Sequence, residues 1–191
     1  MSLIGVTKNI VVVGNGSVGK TSLLLAFTQG TFPEIHVATV YDTEEITMTI
    51  DGNEHYIKLH DTAGQEDYER LRRFSYHLAD AFVLCYDITD RVSFDNIELK
   101  WIDELRGDNE DIPVILVATK EDKRNRHCVP RKEGEDLCGR IRADAFFECS
   151  AKTGKNVEEI FIEAARAAIR GSRKVPENSS WLCCCCRWFS K

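Results

Sequence analysis

Gly14-Asn15-Gly16-Ser17-Val18-Gly19-Lys20-Thr21 is the stretch on which the fold turns. It satisfies G-x-x-x-x-G-K-S/T, and its neighbours are those the pattern requires: a β-branched run, Asn9 to Val13, before it and helical periodicity over Lys20 to Thr28 after it. The chemistry follows from that junction. Glycines let the backbone wrap closely so that N–H groups face phosphate oxygens, and the helix N-terminus adds the positive end of its dipole. Lys20 can then reach the outer phosphates, and Thr21 offers a hydroxyl to Mg²⁺. A glycine-rich turn without function is the competing reading, and the strand before the loop and helix after it argue against it.

Working outward, short β-branched runs alternate with stretches of helical period, the pattern of an open, mostly parallel sheet with helices on both faces. Two strands are expected at 44–50 and 54–60, joined at Asp51-Gly52, a strong hairpin signal that interrupts the parallel sheet with one antiparallel edge pair. Further strands are expected at 81–86 and 114–117, and a last short one around Phe146 and Phe147. Between the first two lies a helix whose Phe94, Ile97, Trp101, Ile102 and Leu105 share a face, with Ser93 as its expected cap. Asn156 and Glu159 are expected to form a capping box before the stripe Val157, Ile160, Phe161, Ala164, Ala165 and Ala168. The reading is an α/β, three-layer fold around a six-stranded sheet.

The 191 residues fit one domain of ordinary size, expected to span 1–170, with a polar tail at 171–191. A hydrophobic share of 43% beside only 12 Gly and 4 Pro supports a packed core. The net charge of -6 argues against general affinity for nucleic acid. Charge is uneven, however: from residue 166 on, Arg166, Arg170, Arg173, Lys174, Arg187 and Lys191 face Glu177 alone, a balance that suits an anionic membrane surface. No apolar run approaches the ~20 residues that span a bilayer, and no secretory signal is legible at the N-terminus. A cytoplasmic protein is therefore expected. Cys85, Cys128, Cys138 and Cys149 are scattered without metal-ligand spacing and read as small hydrophobes or free thiols.

A phosphate loop alone does not separate users of GTP from users of ATP, so a base-reading element has to decide. In Thr119-Lys120-Glu121-Asp122, after the strand at 114–117, the Asp122 carboxylate can accept from both the ring N–H and the exocyclic amino group of guanine. Adenine offers neither donor there. Ser150-Ala151-Lys152-Thr153 follows the last strand, in position for a backbone N–H to meet the guanine carbonyl and for Lys152 to pack along the base. Each tetrapeptide taken alone could equally be a solvated loop. In Asp61-Thr62-Ala63-Gly64-Gln65, the carboxylate can hold Mg²⁺ through water, Gly64 can bring its N–H to a γ-phosphate, and Gln65 can orient the attacking water.

Taken together and in this order, these pieces resemble the Ras superfamily of small GTPases over roughly residues 8–170. Val37-Ala38-Thr39-Val40-Tyr41, the run from Asp61 to Tyr76, Ser93-Phe94-Asp95-Asn96-Ile97 with Trp101, and the run from Glu148 to Thr153 are most similar to the Rho and Rac branch. The resemblance implies a P-loop small-GTPase fold and a guanine-nucleotide switch with mobile segments at about 31–43 and 62–78. It implies that Thr39 ligates Mg²⁺ and senses the γ-phosphate, and that Phe32 packs against the base. It also implies exchange factors, GTPase-activating proteins and effectors as partners. No arginine in the mobile segments is an obvious finger, so slow hydrolysis that depends on an activating protein is expected.

The chain departs from that pattern at several points. Asn15 and Ser17 replace an acidic and a small apolar residue, Thr119 stands for the commoner Asn, and His36 and His60 stand for aromatic residues. The step from Asp122 to Ser150 is too short for the extra surface helix of Rho proteins. The position of the usual prenylated cysteine is Trp188, so ordinary prenylation is not expected. Instead Cys183, Cys184, Cys185 and Cys186 lie between Trp181-Leu182 and Trp188-Phe189, which favours reversible S-acylation and a peripheral place on the cytoplasmic face of a membrane. Unmodified thiols in a polar tail are the alternative. Two other functions stay open: a GTP-bound scaffold that does not cycle, and an ATP-dependent phosphotransferase, which Asp122 argues against.

Overall fold

The computed structural model describes residues 7–33, 41–65, 68–107 and 111–171. Thr39, His36 and Cys183 to Cys186 lie outside the described residues. The sheet has six strands in the order β2-β3-β1-β4-β5-β6. Strand β1, Lys8–Gly14, lies between β3, Asn53–Thr62, and β4, Ala81–Asp87, and is parallel to both. β5, Val114–Thr119, and β6, Ala145–Glu148, continue the parallel side. β2, Tyr41–Ile50, is the antiparallel edge, paired with β3 from Tyr41 opposite Thr62 to Ile50 opposite Asn53. The hairpin between them turns at Asp51 and Gly52, whose φ values of 51° and 83° are those of a tight primed turn.

Strands buried on both faces read as continuous apolar runs, and alternate residues serve opposite layers. Ile10 and Val12 of β1 face helix α1, Lys20–Gln29, and helix α6, Val157–Arg170, together with Val83, Ile115 and Val117. Val11 and Val13 face the other side with Phe82, Leu84 and Leu116. There the cover is helix α3, Arg91–Asn96, one π turn over Ile97–Trp101, helix α4, Ile102–Arg106, and helix α5, Arg131–Arg140. The stripe expected from Phe94 to Leu105 is buried, and the π turn inside it lets the adjacent Trp101 and Ile102 both reach the core.

Two caps differ from expectation. Helix α3 is capped by Asp90, whose carboxylate accepts from the Val92 N–H, and Ser93 sits one turn in, its Oγ accepting from the Asp87 N–H at 3.0 Å. Asp90 wins because it precedes the first helical residue with an extended backbone, where a side-chain acceptor can reach back over the first turn. Asn156 does precede α6 but makes no capping bond; it has a left-handed backbone, φ 56°, and its Nδ2 donates instead to the Glu148 carbonyl at 2.7 Å. Helices α2, Glu69–Tyr76, and α5 carry no strong apolar stripe and are not legible as helices from periodicity. Between Asp122 and Ser150 the chain holds α5 and the end of one 3-10 turn, Glu121–Lys123, with no further helix.

Candidate functional site

All the strand ends that carry motifs open on one side of the sheet. β1 delivers the phosphate loop at Gly14, where a side chain is impossible: a Cβ would lie 2.2 Å from the Cys85 carbonyl oxygen of β4. The loop then takes left-handed backbone at Ser17 and at Gly19, with φ of 61° and 98°, before α1 starts at Lys20. Gly19 meets this at no steric cost, whereas Ser17 holds a conformation that L-residues adopt rarely. Two contacts secure it: the Lys120 Nζ donates to the Ser17 carbonyl at 2.8 Å, and the Thr119 hydroxyl lies 2.6 Å from the Val18 carbonyl. Thr119 and Lys120 therefore brace the loop from β5.

Lys20 folds back over the loop, and its Nζ donates to the carbonyls of Gly14 at 2.8 Å and Asn15 at 2.7 Å. Burial lowers its pKa to about 8, against the opposing pull of Cys85 and Asp61. Thr21, one residue into α1, donates its hydroxyl to Asp61 Oδ2 of β3 at 2.6 Å. A hydroxyl and a carboxylate thus converge, an all-oxygen pair of the kind that hard divalent cations select.

After β3 the chain presses on the loop. A Cβ on Gly64 would lie 2.3 Å from Asn15 C and Gly16 N and 2.4 Å from the Gly14 carbonyl oxygen, so only glycine passes there. Exposed Gln65 follows, its Cγ in van der Waals range of the space over Gly16.

The cleft between these parts has a volume of about 530 Å³. Gly16, Ser17, Gly19, Lys20 and Thr21 line one part of it, and Phe32, Thr119, Lys120, Asp122, Ala151 and Lys152 another. Phe32 is 46% exposed, open on the cleft rather than part of the core. Asp122 is held by the buried Ser150, whose hydroxyl donates to Oδ1 at 2.6 Å, and the Ser150 Oγ in turn accepts from the Thr153 N–H at 3.2 Å. Lys120 pairs with Asp87 at 2.6 Å. Ser150 therefore orients the carboxylate rather than lining the cleft. Val18 is likewise a core side chain that serves through its carbonyl, and the Asn15 Oδ1 turns to the Trp101 Nε1, which donates to it at 2.7 Å.

Sequence reading misses three members of this region: Asp87, Arg72 and Glu104. Arg72 is 1% exposed, donating from Nη1 to the carbonyls of Ala63 at 2.9 Å and Gln65 at 2.6 Å and pairing with Glu104 at 3.3 Å. Glu104 also accepts from the Tyr76 hydroxyl at 2.7 Å. Arg72 and Glu104 stand among other charged residues, which reads as a solvated face, and Asp87 shows in the sequence only as the acid that ends an apolar run. At the sheet edge, His60 accepts at Nδ1 from Tyr41 at 2.7 Å if its Nε2 donates to Asn9 at 2.9 Å. Burial pulls its pKa down to about 4, which keeps that ring neutral.

A mostly parallel sheet with a phosphate loop at its first strand-to-helix turn, and a carboxylate at the cleft after a later strand, defines a P-loop nucleotide-binding protein. Residues 9–170 match the Ras family. The chain is 41% identical to the Ras-like GTP-binding protein RhoL of Drosophila melanogaster, over 89% of this chain and 91% of that protein. It is 37% identical to the Rho-related GTP-binding protein RhoF of Bos taurus (92% and 87%) and 39% identical to the GTP-binding protein RHO1 of Candida albicans (87% and 90%). The chain belongs to the Ras family, as a Rho-like small GTPase.

Proposed function

We propose that this protein is a guanine-nucleotide switch that binds GTP and GDP with Mg²⁺, hydrolyses GTP slowly, and signals to effectors through segments ordered by the γ-phosphate. The observation that carries the reading is the cleft itself, with Asp122 locked by Ser150 at one part and Lys20 with its backbone cradle at another. Asp122 accepts from the two guanine donors, Ala151 supplies a backbone N–H to the carbonyl, and Phe32 and Lys152 cover the faces of the base. The backbone of Gly14, Asn15, Gly16, Ser17, Val18 and Gly19 and the Lys20 ammonium take the polyphosphate.

Thr21 and Asp61, with Thr39, hold Mg²⁺, which supplies charge neutralisation at the phosphates when bound. Gly64 gives its N–H to the γ-phosphate and Gln65 orients the water. Arg72 is engaged by Glu104 and two carbonyls, and Arg73 by Glu69 at 2.9 Å, which supports an activating protein as the source of a catalytic arginine.

The polar, basic tail with Cys183 to Cys186 carries S-acyl groups and holds the domain peripherally on the cytoplasmic face of a membrane, where cytoskeletal or membrane signalling would be its output. Exchange factors, activating proteins and effectors are its partner kinds.

Titrating the purified protein with GDP, GTP and ATP tests the reading. Guanine nucleotides should bind at least about 10⁴-fold more tightly than ATP, because adenine offers the Asp122 carboxylate neither of the two donors it is set to accept from. Asp122→Asn should collapse most of that preference. Equal affinity for ATP defeats the reading, and GTP that persists with a competent activating protein present would favour a scaffold that does not cycle.

A further inference from the structure

Asn15, Trp101, Arg72 and Gln65 form a continuous chain of contacts that none of the nucleotide contacts above uses. It begins in the phosphate loop, where the Asn15 Oδ1 accepts from the Trp101 Nε1 at 2.7 Å. Trp101 is wholly buried, so its N–H requires a partner, and it finds one on the loop that grips phosphate rather than within its own layer. Trp101 closes the π turn over Ile97–Trp101, and such turns are frequent at functional sites.

On the other side, the Arg72 guanidinium carbon stands 4.9 Å from the indole centroid. Its Nη1 binds the carbonyls of Ala63 and Gln65, the residues on either side of Gly64. Glu104 holds the rest of the guanidinium, so Arg72 is a fixed bracket on the backbone that presents Gln65.

We propose that Trp101 is a positioning residue for GTP hydrolysis: it transmits the geometry of the phosphate loop at Asn15, through Arg72, to the backbone that sets Gln65. The inference rests on the reading of Gln65 as the residue that orients water. Asn15, where Rho-like proteins usually carry an acid, keeps the acceptor the indole needs. The Lys100 Nζ also stands 5.4 Å from the indole centroid, but the route to the reaction runs through Asn15 and Arg72.

The test uses full-length protein in which Trp181→Phe and Trp188→Phe leave Trp101 as the one indole. Its emission should differ between the GDP-loaded protein and the protein loaded with Mg²⁺ and a non-hydrolysable GTP analogue. In single-turnover assays Trp101→Phe should slow hydrolysis about fivefold, the scale of one neutral hydrogen bond lost from the positioning route. Its GDP affinity should stay within about twofold.

Identical emission in the two states, an unchanged hydrolysis rate, or a rate loss matched by loss of GDP affinity would each overturn the proposal. Should Trp101→Phe not fold, Asn15→Leu, which removes the acceptor from the loop and leaves the ring in place, must show the same slowing and abolish the emission difference. If the unaltered protein fails to hydrolyse GTP at all, the role of Gln65 falls, while the emission comparison still decides whether Trp101 follows the nucleotide.

Discussion

Gly64 shows how little space separates recognition from chemistry in this cleft. A methyl group there would overlap three backbone atoms of the phosphate loop, none of which can rotate away as a side-chain tip would. Gly64→Ala should therefore hold the segment before Gln65 off the loop and cost about a hundredfold in single-turnover hydrolysis, since misplacement of a positioning group by an ångström has that scale. The loss of GDP affinity should be smaller, because the residues proposed to read the base line a different part of the cleft. An unchanged hydrolysis rate would show that Gly64 need not approach the loop. Buried thiols are the counterexample to reactivity at this scale. Burial pushes Cys85 up to about 12 and Cys149 well above the ordinary thiol range, so neither is a nucleophile near neutral pH.

Among the elements, α2 and α5 explain why helices of this chain escape a search for apolar periodicity. The inward face of α2 consists of Arg72, Ser75 and Tyr76, and the guanidinium is satisfied by Glu104 from α4. A buried ion pair of this kind contributes little net stability against well-packed apolar residues, yet removing one partner costs about 3–5 kcal/mol. It fixes a position rather than deepening the fold. Helix α5 turns Gly134 and Leu137 inward, and Gly134 is required by space: a Cβ would lie 2.4 Å from Phe146 Cζ and 2.6 Å from the Tyr86 hydroxyl. Alanine gains about 1 kcal/mol of helix propensity over glycine. Overpacking against two rings, at about 1–3 kcal/mol, outweighs it. Gly134→Ala should thus lower the urea midpoint with an unchanged m-value, and a raised midpoint would show that the rings give way freely.

For the molecule as a whole, the layers around the sheet close with α6, whose Val157, Ile160, Phe161, Ala164 and Ala165 pack on β1, β4 and β5. The apolar stripe ends with that helix at Arg170. A chain ending at Gly171 should bind GDP within about twofold of the full-length protein, because the described residues that line the cleft run from Gly16 to Lys152. Recovery of acyl-exchange label should fall to background in the same truncation, and in full-length protein with Cys183 to Cys186 replaced by Ser. Label retained by either variant would place acylation within the domain, against the burial of Cys85, Cys128 and Cys149.

Much of this molecule is legible in the order of its residues, because the relevant chemistry is local. The phosphate loop is eight consecutive residues between a strand and a helix, and the Asp51-Gly52 hairpin and the β-branched apolar runs of the strands are likewise read from neighbours in the chain. The helix caps mislead because Ser, Asp and Asn are all good cap residues, and backbone geometry decides which one is used. What only tertiary structure decided lies far apart in sequence: Ser150 locking Asp122 across 28 positions, Arg72 bound to Glu104 across 32, and Trp101 reaching Asn15 across 86. Such polar partners carry no periodicity of their own. A buried charge or indole N–H is specified by the single group that satisfies it, and that group is adjacent only once the sheet and its helices have packed.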